Sequence, residues 1–159
     1  MFLIVAVLIV LCFAAVLLFG APYLPTLKQQ QQTALSLLNL KAGQTLLDLG
    51  CGDGRILLAA AKEGIYGVGY ELNPLLFLVA KVVTWRYRKL VKIYLADFWQ
   101  IDWPNIDGIY VFLLKKYMVK LNNKIVQINC KNIKVVSYAF EIPDKKIIKK
   151  LGAMYLYYY

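Results

Sequence analysis

One stretch of the chain gathers glycines and carboxylates at a spacing that could do chemistry: Asp48-Leu49-Gly50-Cys51-Gly52-Asp53-Gly54-Arg55. Three alternate glycines serve two needs. A tight turn takes backbone angles that a β-carbon disfavours, and missing side chains let a ligand lie against the backbone. The pattern is G-x-G-x-G. A dinucleotide fingerprint reads G-x-G-x-x-G and a phosphate loop ends in G-K-[ST]. Neither fits, because Gly54 is followed by Arg55 and Ile56. A phosphate also needs a free, positive helix N-terminus. Here Asp53 stands at that position and Asp48 lies just before the turn.

Acids around a glycine turn suit a cationic ligand that carries an amino group and a sulfonium, which is S-adenosylmethionine (SAM). Glu71 supports this reading from its place at the end of the next strand, where doubly wound folds put the acid that grips ribose hydroxyls. A carboxylate can accept from both hydroxyls at once. Asp97 follows a third strand and is placed either to read an adenine amino group or to cap its own loop. Its neighbours Phe98 and Trp99 could pack on adenine, on a substrate or in the core. The expected cofactor site is therefore Asp48, Gly50, Cys51, Gly52, Asp53, Gly54, Glu71, Asp97 and Phe98.

These residues need a sheet edge to hold them. Thr45 to Leu49 is a short apolar run ending at the turn, as a buried parallel strand does. Helix follows from Arg55 to Glu63, ended by Gly64, then strand from Ile65 to Glu71. Pro74 opens a helix to about Arg88, proline being favoured at a first helical position. Strands are expected at Val91 to Leu95, Ile109 to Leu114 and Ile133 to Phe140, with a helix over Lys116 to Asn129. Pro143 to Leu151 reads as a short helix and Ala153 to Tyr159 as one terminal strand. Ahead of all this, Thr26 can cap a helix to about Leu38, and Asn39 to Gly43 is a turn. The βαβα order implies an α/β, Rossmann-like, doubly wound and mostly parallel sheet with helices on both faces. Ligands of such sheets bind at the carboxyl ends of the strands.

The chain has 159 residues, enough for one domain with a core. Met1 to Ala21 carries no charge, and such a helix spans roughly 30 Å, a bilayer core. It lacks the basic start of a signal peptide and exceeds the usual apolar core of one. It is read as a retained transmembrane anchor (1–21) rather than a cleaved signal or a core helix, with the domain at 22–159. Lys28 and the basic body put that domain on the cytoplasmic side. The formal charge of +10 suits an anionic lipid surface more than nucleic acid.

The chain has no histidine. That removes Ser-His-Asp and Cys-His hydrolases and His-ligated zinc catalysis. Cys12, Cys51 and Cys130 lie far apart, without metal-ligand spacing, and read as small buried residues in a reducing compartment. No metal is expected. Methyl transfer from a sulfonium asks mainly for alignment and exclusion of water. Tyr23, Phe98, Trp99, Phe112, Tyr117 and Phe140 are aromatics that could build an acceptor channel, where a cation is held by ring faces. Tyr23, Thr26 and Phe112 are the candidates for the reacting end. Tyr23 to Thr26 could form a lid over the methionine end of SAM or a plain turn after the anchor.

The glycine turn, Glu71 and Asp97 together resemble the seven-strand (class I) SAM-dependent methyltransferases. More narrowly, Tyr23-Leu24-Pro25-Thr26, Gly67-Val68-Gly69-Tyr70-Glu71-Leu72-Asn73-Pro74, Ala96-Asp97-Phe98-Trp99 and Ser137 to Pro143 are similar to the membrane-anchored lysine methyltransferases of the ATP synthase c-subunit and the adenine nucleotide translocase. The resemblance implies transfer of a methyl from SAM to a protein lysine at or near the membrane. Three departures stand out. Cys51 replaces the family's serine, the Phe112 to Lys116 segment lacks an expected glycine, and one terminal strand is expected where the superfamily has a hairpin. A lipid or quinone methyltransferase is the alternative. RNA methylation fits less well, because the fourth strand runs into Phe112-Leu113 rather than an N-P-P-Y-like motif. A non-catalytic SAM-binding domain is the remaining one.

Overall fold

The computed structural model describes residues 25–128 and 132–159. The expected anchor, Tyr23, Cys12 and Cys130 lie outside the described residues. Seven strands form one sheet: β1 (Thr45–Leu49), β2 (Tyr66–Glu71), β3 (Val91–Leu95), β4 (Gly108–Val111), β5 (Lys134–Tyr138), β6 (Lys149–Leu151) and β7 (Met154–Tyr158). Their order is β3-β2-β1-β4-β5-β7-β6. The first five are mutually parallel, with Leu47 opposite Val68 on one side and Ile109 on the other. β7 runs antiparallel to β5, and β6 antiparallel to β7. The order turns back between β1 and β4, which is the switch point where ligands of such sheets bind.

Among the described residues four helices cover the sheet: α1 (Lys28–Leu38), α2 (Arg55–Lys62), α3 (Pro74–Val83) and α4 (Met118–Gln127). Period-two alternation in the strands decides which residue meets which layer. Leu46 and Tyr110 join Leu38, Leu57 and Ala80 under α1, α2 and α3. Leu47, Leu49, Ile109 and Val111 join Leu121 and Ile125 of α4 on the opposite face. That face is completed by the loop after β3, which inserts Trp103 and Ile106. Leu46, Leu47, Leu57, Ile109 and Leu121 are fully buried, each contributing roughly 1.5–3 kcal/mol relative to an exposed side chain. Among the described residues no helix is long and apolar enough to cross a membrane.

Several element ends differ from the sequence expectation. Thr26 does not cap α1. The cap position is Leu27 with no side-chain bond, because the Thr26 hydroxyl is engaged with the Tyr110 hydroxyl at 3.0 Å. α3 stops at Val83 rather than Arg88. The Thr84 hydroxyl donates to the Ala80 carbonyl, and the chain tightens into a 3-10 turn at Trp85–Tyr87. β4 ends at Val111, and a 3-10 turn at Lys115–Tyr117 precedes α4. The expected helix at Pro143 to Leu151 does not form. Asp144 takes a left-handed backbone (φ 58), and residues 149–151 pair with β7 instead. Gly152, at φ 57, supplies the turn that joins them, glycine at the first loop position being a hairpin preference. The C-terminus is thus a hairpin and not a single strand. The Lys-Lys-Ile-Ile-Lys-Lys run reads as helical by period, but pairing with the Tyr-rich last strand wins.

Candidate functional site

The turn after β1 is built by its glycines. Gly50, Gly52 and Gly54 have φ of 77°, 56° and 78°, values that side chains resist. The first two N–H groups of the turn, Gly50 and Cys51, both donate to the Tyr70 carbonyl, at 3.0 and 2.9 Å. This fastens the end of β1 to the end of β2. Glu71 tightens the joint. Its carboxylate accepts from Gly52 N–H and from Asn73 N–H, each at 2.8 Å. Asn73 in turn caps α3, its Oδ1 accepting from Leu75 and Leu76 N–H. One acid therefore sets the positions of the glycine turn and of the helix that follows β2.

Above this joint, at the carboxyl edge of β1, β2 and β4, lies a cavity of about 360 Å³. That is within the roughly 300–1,000 Å³ of small-molecule sites. Asp48, Gly50, Cys51, Gly52, Asp53, Glu71, Asp97 and Phe98 line it, as do Thr26 and Phe112. Gly54 does not: it starts α2, where an added β-carbon would stand 3.2 Å from both Ala80 Cβ and Thr84 Cγ2. Its place is one of helix packing against α3. The aromatics Trp99, Tyr117 and Phe140 line the same cavity. Phe98, Trp99 and Tyr117 form a chain of tilted rings, with centroids 4.7 and 6.0 Å apart.

The acids are not equivalent. Asp48 is buried, and burial first, then the charges of Glu71 and Asp53, pushes its carboxyl up to about 8. Asp53 is paired with Arg55, Nη2 to Oδ2 at 2.6 Å, and the Arg55 Nε donates to both carboxylate oxygens. The same guanidinium donates to the Thr26 carbonyl at 3.2 Å. Asp97 uses both oxygens within its own loop, accepting from Trp99 N–H and from Gln100 Nε2, each at 2.9 Å. That loop is pinned from α4, since Lys124 Nζ donates to the Trp99 and Ile101 carbonyls.

Cys51 turns its thiol toward β2. A β-carbon on Gly69 would lie 2.8 Å from Cys51 Sγ, so Gly69 leaves the space that the thiol fills. Burial, then Asp48 and Glu71, pushes the thiol well above its ordinary value. It is held protonated and is no nucleophile.

Sequence reasoning passed over Tyr110. It is buried on β4, opposite Asp48 in register, and faces the cavity beside Thr26. The signal was there: a tyrosine in an otherwise aliphatic buried strand needs a partner for its hydroxyl, and its alternation with Phe112 puts both on one face. Leu72, Leu76, Leu113 and Ala139 also line the cavity. Ala139, at φ 71, is a strained backbone point of the kind found at functional sites.

Strand order, glycine turn and the acid ending β2 define a Rossmann-like methyltransferase fold. The chain belongs to the family of the ANTKMT methyltransferase domain, whose model matches residues 48–149. The human lysine N-methyltransferase of the ATP synthase c-subunit is 32% identical over 124 residues, which cover 77% of this chain and 53% of that protein. A protein-lysine N-methyltransferase of Saccharolobus islandicus (strain REY15A) is 31% identical over 139 residues, 80% of this chain and 84% of that one. The crystal structure of an RNA methyltransferase from Salinibacter ruber in complex with S-adenosyl-L-homocysteine superposes with a TM-score of 0.77 at 27% identity, covering 84% of this chain and 91% of that chain. This chain spans about half the length of the human and Xenopus laevis relatives.

Proposed function

We propose that this chain is a SAM-dependent methyltransferase that modifies a protein lysine at a membrane. The observation that carries the reading is the cavity itself. Its lining combines the glycines Gly50 and Gly52, where a ligand can lie against the backbone, with Asp48, Asp53, Glu71 and Asp97, the cation Arg55, and the aromatics Phe98, Trp99, Phe112, Tyr117 and Phe140. That charge balance suits a cationic ligand and opposes a phosphate. Glu71 would hold the ribose hydroxyls, Asp48 the methionyl end, and Asp97 with Phe98 the adenine. The bound cofactor supplies a methyl already activated on a sulfonium. The chain's own contribution is to orient and dry the acceptor. Phe112, Tyr117 and Phe140 line the cavity, where a lysine amine, partly desolvated, would give up its proton more readily and its cationic forms would be met by ring faces. The names of the curated relatives support lysine as the acceptor.

The membrane part of the reading rests on residues 1–21, a single-pass anchor with the domain on the cytoplasmic side. Thr26, buried shortly after that segment, reaches the cavity wall and bonds Tyr110. This supports residues 23–26 as a cover between anchor and cofactor. Protease protection in spheroplasts tests the orientation: digestion of the domain from outside refutes it.

Calorimetry with SAM on the intact protein, on Glu71→Ala and on Gly52→Val tests the cofactor. Binding by the intact protein and loss in both variants is expected; no binding by the intact protein rejects the reading. Radiolabelled methyl transfer into membrane extract, fractionated into protein, lipid and RNA, tests the acceptor. The similarity to an RNA methyltransferase and the +10 charge favour RNA as the second reading. Label in protein lysine supports the proposal, and label in RNA or lipid alone replaces it.

A further inference from the structure

α3 carries two apolar faces where a surface helix needs one. Leu76 and Ala80 are buried against the sheet. Leu78, Val79 and Val82 form a second stripe at helical spacing, and this one points to solvent, Val82 being 75% exposed. Trp85 continues it at 64% exposure, and Leu72, just ahead of the helix, is exposed in the lining of the cofactor cavity. A helix that is apolar all round is ordinarily covered on every side. A contiguous exposed patch of this kind marks an interaction surface.

The charge around the stripe says what covers it. From Leu72 to Ala96 the chain carries Lys81, Arg86, Arg88, Lys89 and Lys92 and not one Asp or Glu. All five cations are exposed. Three of them, Lys81, Arg88 and Lys92, line a shallow hollow of about 310 Å³ together with Thr84, Trp85 and Tyr94. The Arg88 guanidinium lies over the Trp85 ring, 4.8 Å from its centroid, which holds it at the hollow's edge. Apolar stripe, flanking Lys and Arg, and Trp at the border are the features of a helix lying in a lipid interface, where Trp and Tyr rings settle at headgroup level. An anionic bilayer matches both the stripe and the cations.

We propose that the outer face of α3 and the adjoining hollow form a docking surface for anionic lipid, with the Leu78–Val82–Trp85 stripe seated in the headgroup–acyl boundary and Lys81, Arg88 and Lys92 bound to lipid phosphates. It deepens the membrane part of the reading above and rests on it only for a nearby bilayer.

The test uses the full chain with vesicles containing bromine-labelled phosphatidylglycerol. Flotation reports whether the chain is on the bilayer at all, and quenching of tryptophan emission reports whether this face is. Strong quenching in the native chain, loss of most of it in Trp85→Phe, and its loss in Lys81→Glu/Arg88→Glu/Lys92→Glu are expected. All three proteins should retain SAM binding by calorimetry. A chain that floats with Trp85 unquenched overturns the docking surface and leaves the anchor standing. A chain that does not float overturns both. Quenching that survives the triple substitution rejects the lipid phosphates, and shielding of Trp85 only by an added membrane protein replaces lipid with protein as the occupant.

Discussion

Asp48 gives the sharpest test of the electrostatics. Its carboxyl titrates at about 8 in the ligand-free protein, so at pH 7 it is mostly protonated. A cationic cofactor favours the ionised form. Binding at pH 7 must therefore release that proton, at a cost of about 1.4 kcal/mol for each unit that the pH lies below the carboxyl's value. The affinity of the native protein relative to Asp48→Asn should rise about tenfold per unit between pH 6 and 8, and level off above. Taking the ratio to Asp48→Asn cancels the ionisation of the ligand's own amine. Calorimetry at pH 7 in two buffers of different ionisation enthalpy should show the native protein releasing close to one more proton than the variant. The ligand-free protein should show the opposite trend in stability. Asp48 holds its proton more tightly when folded, so its contribution is full below pH 3.8 and is lost as pH rises from there to about 8. Asp48→Asn should flatten that part of the profile. A ratio of affinities that is flat from pH 6 to 9, with equal proton release, refutes the idea that Asp48 faces the positive charge.

Three further outcomes follow from the packing. Thr26→Val and Tyr110→Phe each remove one partner of the buried 3.0 Å hydroxyl pair, and each should cost about 1 kcal/mol in denaturant unfolding; the double variant should cost less than the sum, and strict additivity means the pair is not formed. Gly69→Ala puts a β-carbon 2.6 Å from Leu57 Cδ1 and 2.8 Å from Cys51 Sγ. It should destabilise by roughly 1–3 kcal/mol and weaken SAM binding, so an unchanged melting temperature contradicts the packing described. Ala139→Gly relieves a left-handed alanine (φ 71) and should stabilise by up to ~1 kcal/mol after the added chain entropy, whereas Ala139→Val should do the reverse.

The parts of this protein that were legible in the sequence are those where local chemistry and fold agree. Asp48 to Arg55 announced a ligand turn because only glycine serves there, and Glu71 followed at the distance a βαβ unit imposes. Strands β1, β2, β4 and β5 showed as short apolar runs because both their faces are covered, whereas β3, at the sheet edge, leaves Lys92, Tyr94 and Leu95 exposed. The C-terminal third was misread where a local period competed with a distant partner. Lys145 to Lys150 repeats like a helix, but Lys149 to Leu151 is decided by β7, whose pairing no local pattern states. Thr26 was misread for a similar reason. A threonine ahead of a helix is an ordinary cap, and only the fold brings Tyr110, on β4, within reach of its hydroxyl.

The acids around the cavity do different work. Around the glycine turn the sequence shows four carboxylates, and counting them suggests a strongly negative site. The structure divides them. Asp53 is neutralised by Arg55, and that pair ties the turn to Thr26. Asp97 shapes its own loop. Glu71 spends one acceptance on each of two backbone N–H groups and lines the cavity. Asp48 is left buried and is pushed to about 8. Asp48 thus adds a carboxyl whose charge appears when a positive ligand arrives, beside the standing charges of Glu71 and Asp53 that raise its own value. Holding that proton spares the fold an uncompensated buried charge, and a positive ligand that faces Asp48 binds below pH 8 only by displacing it.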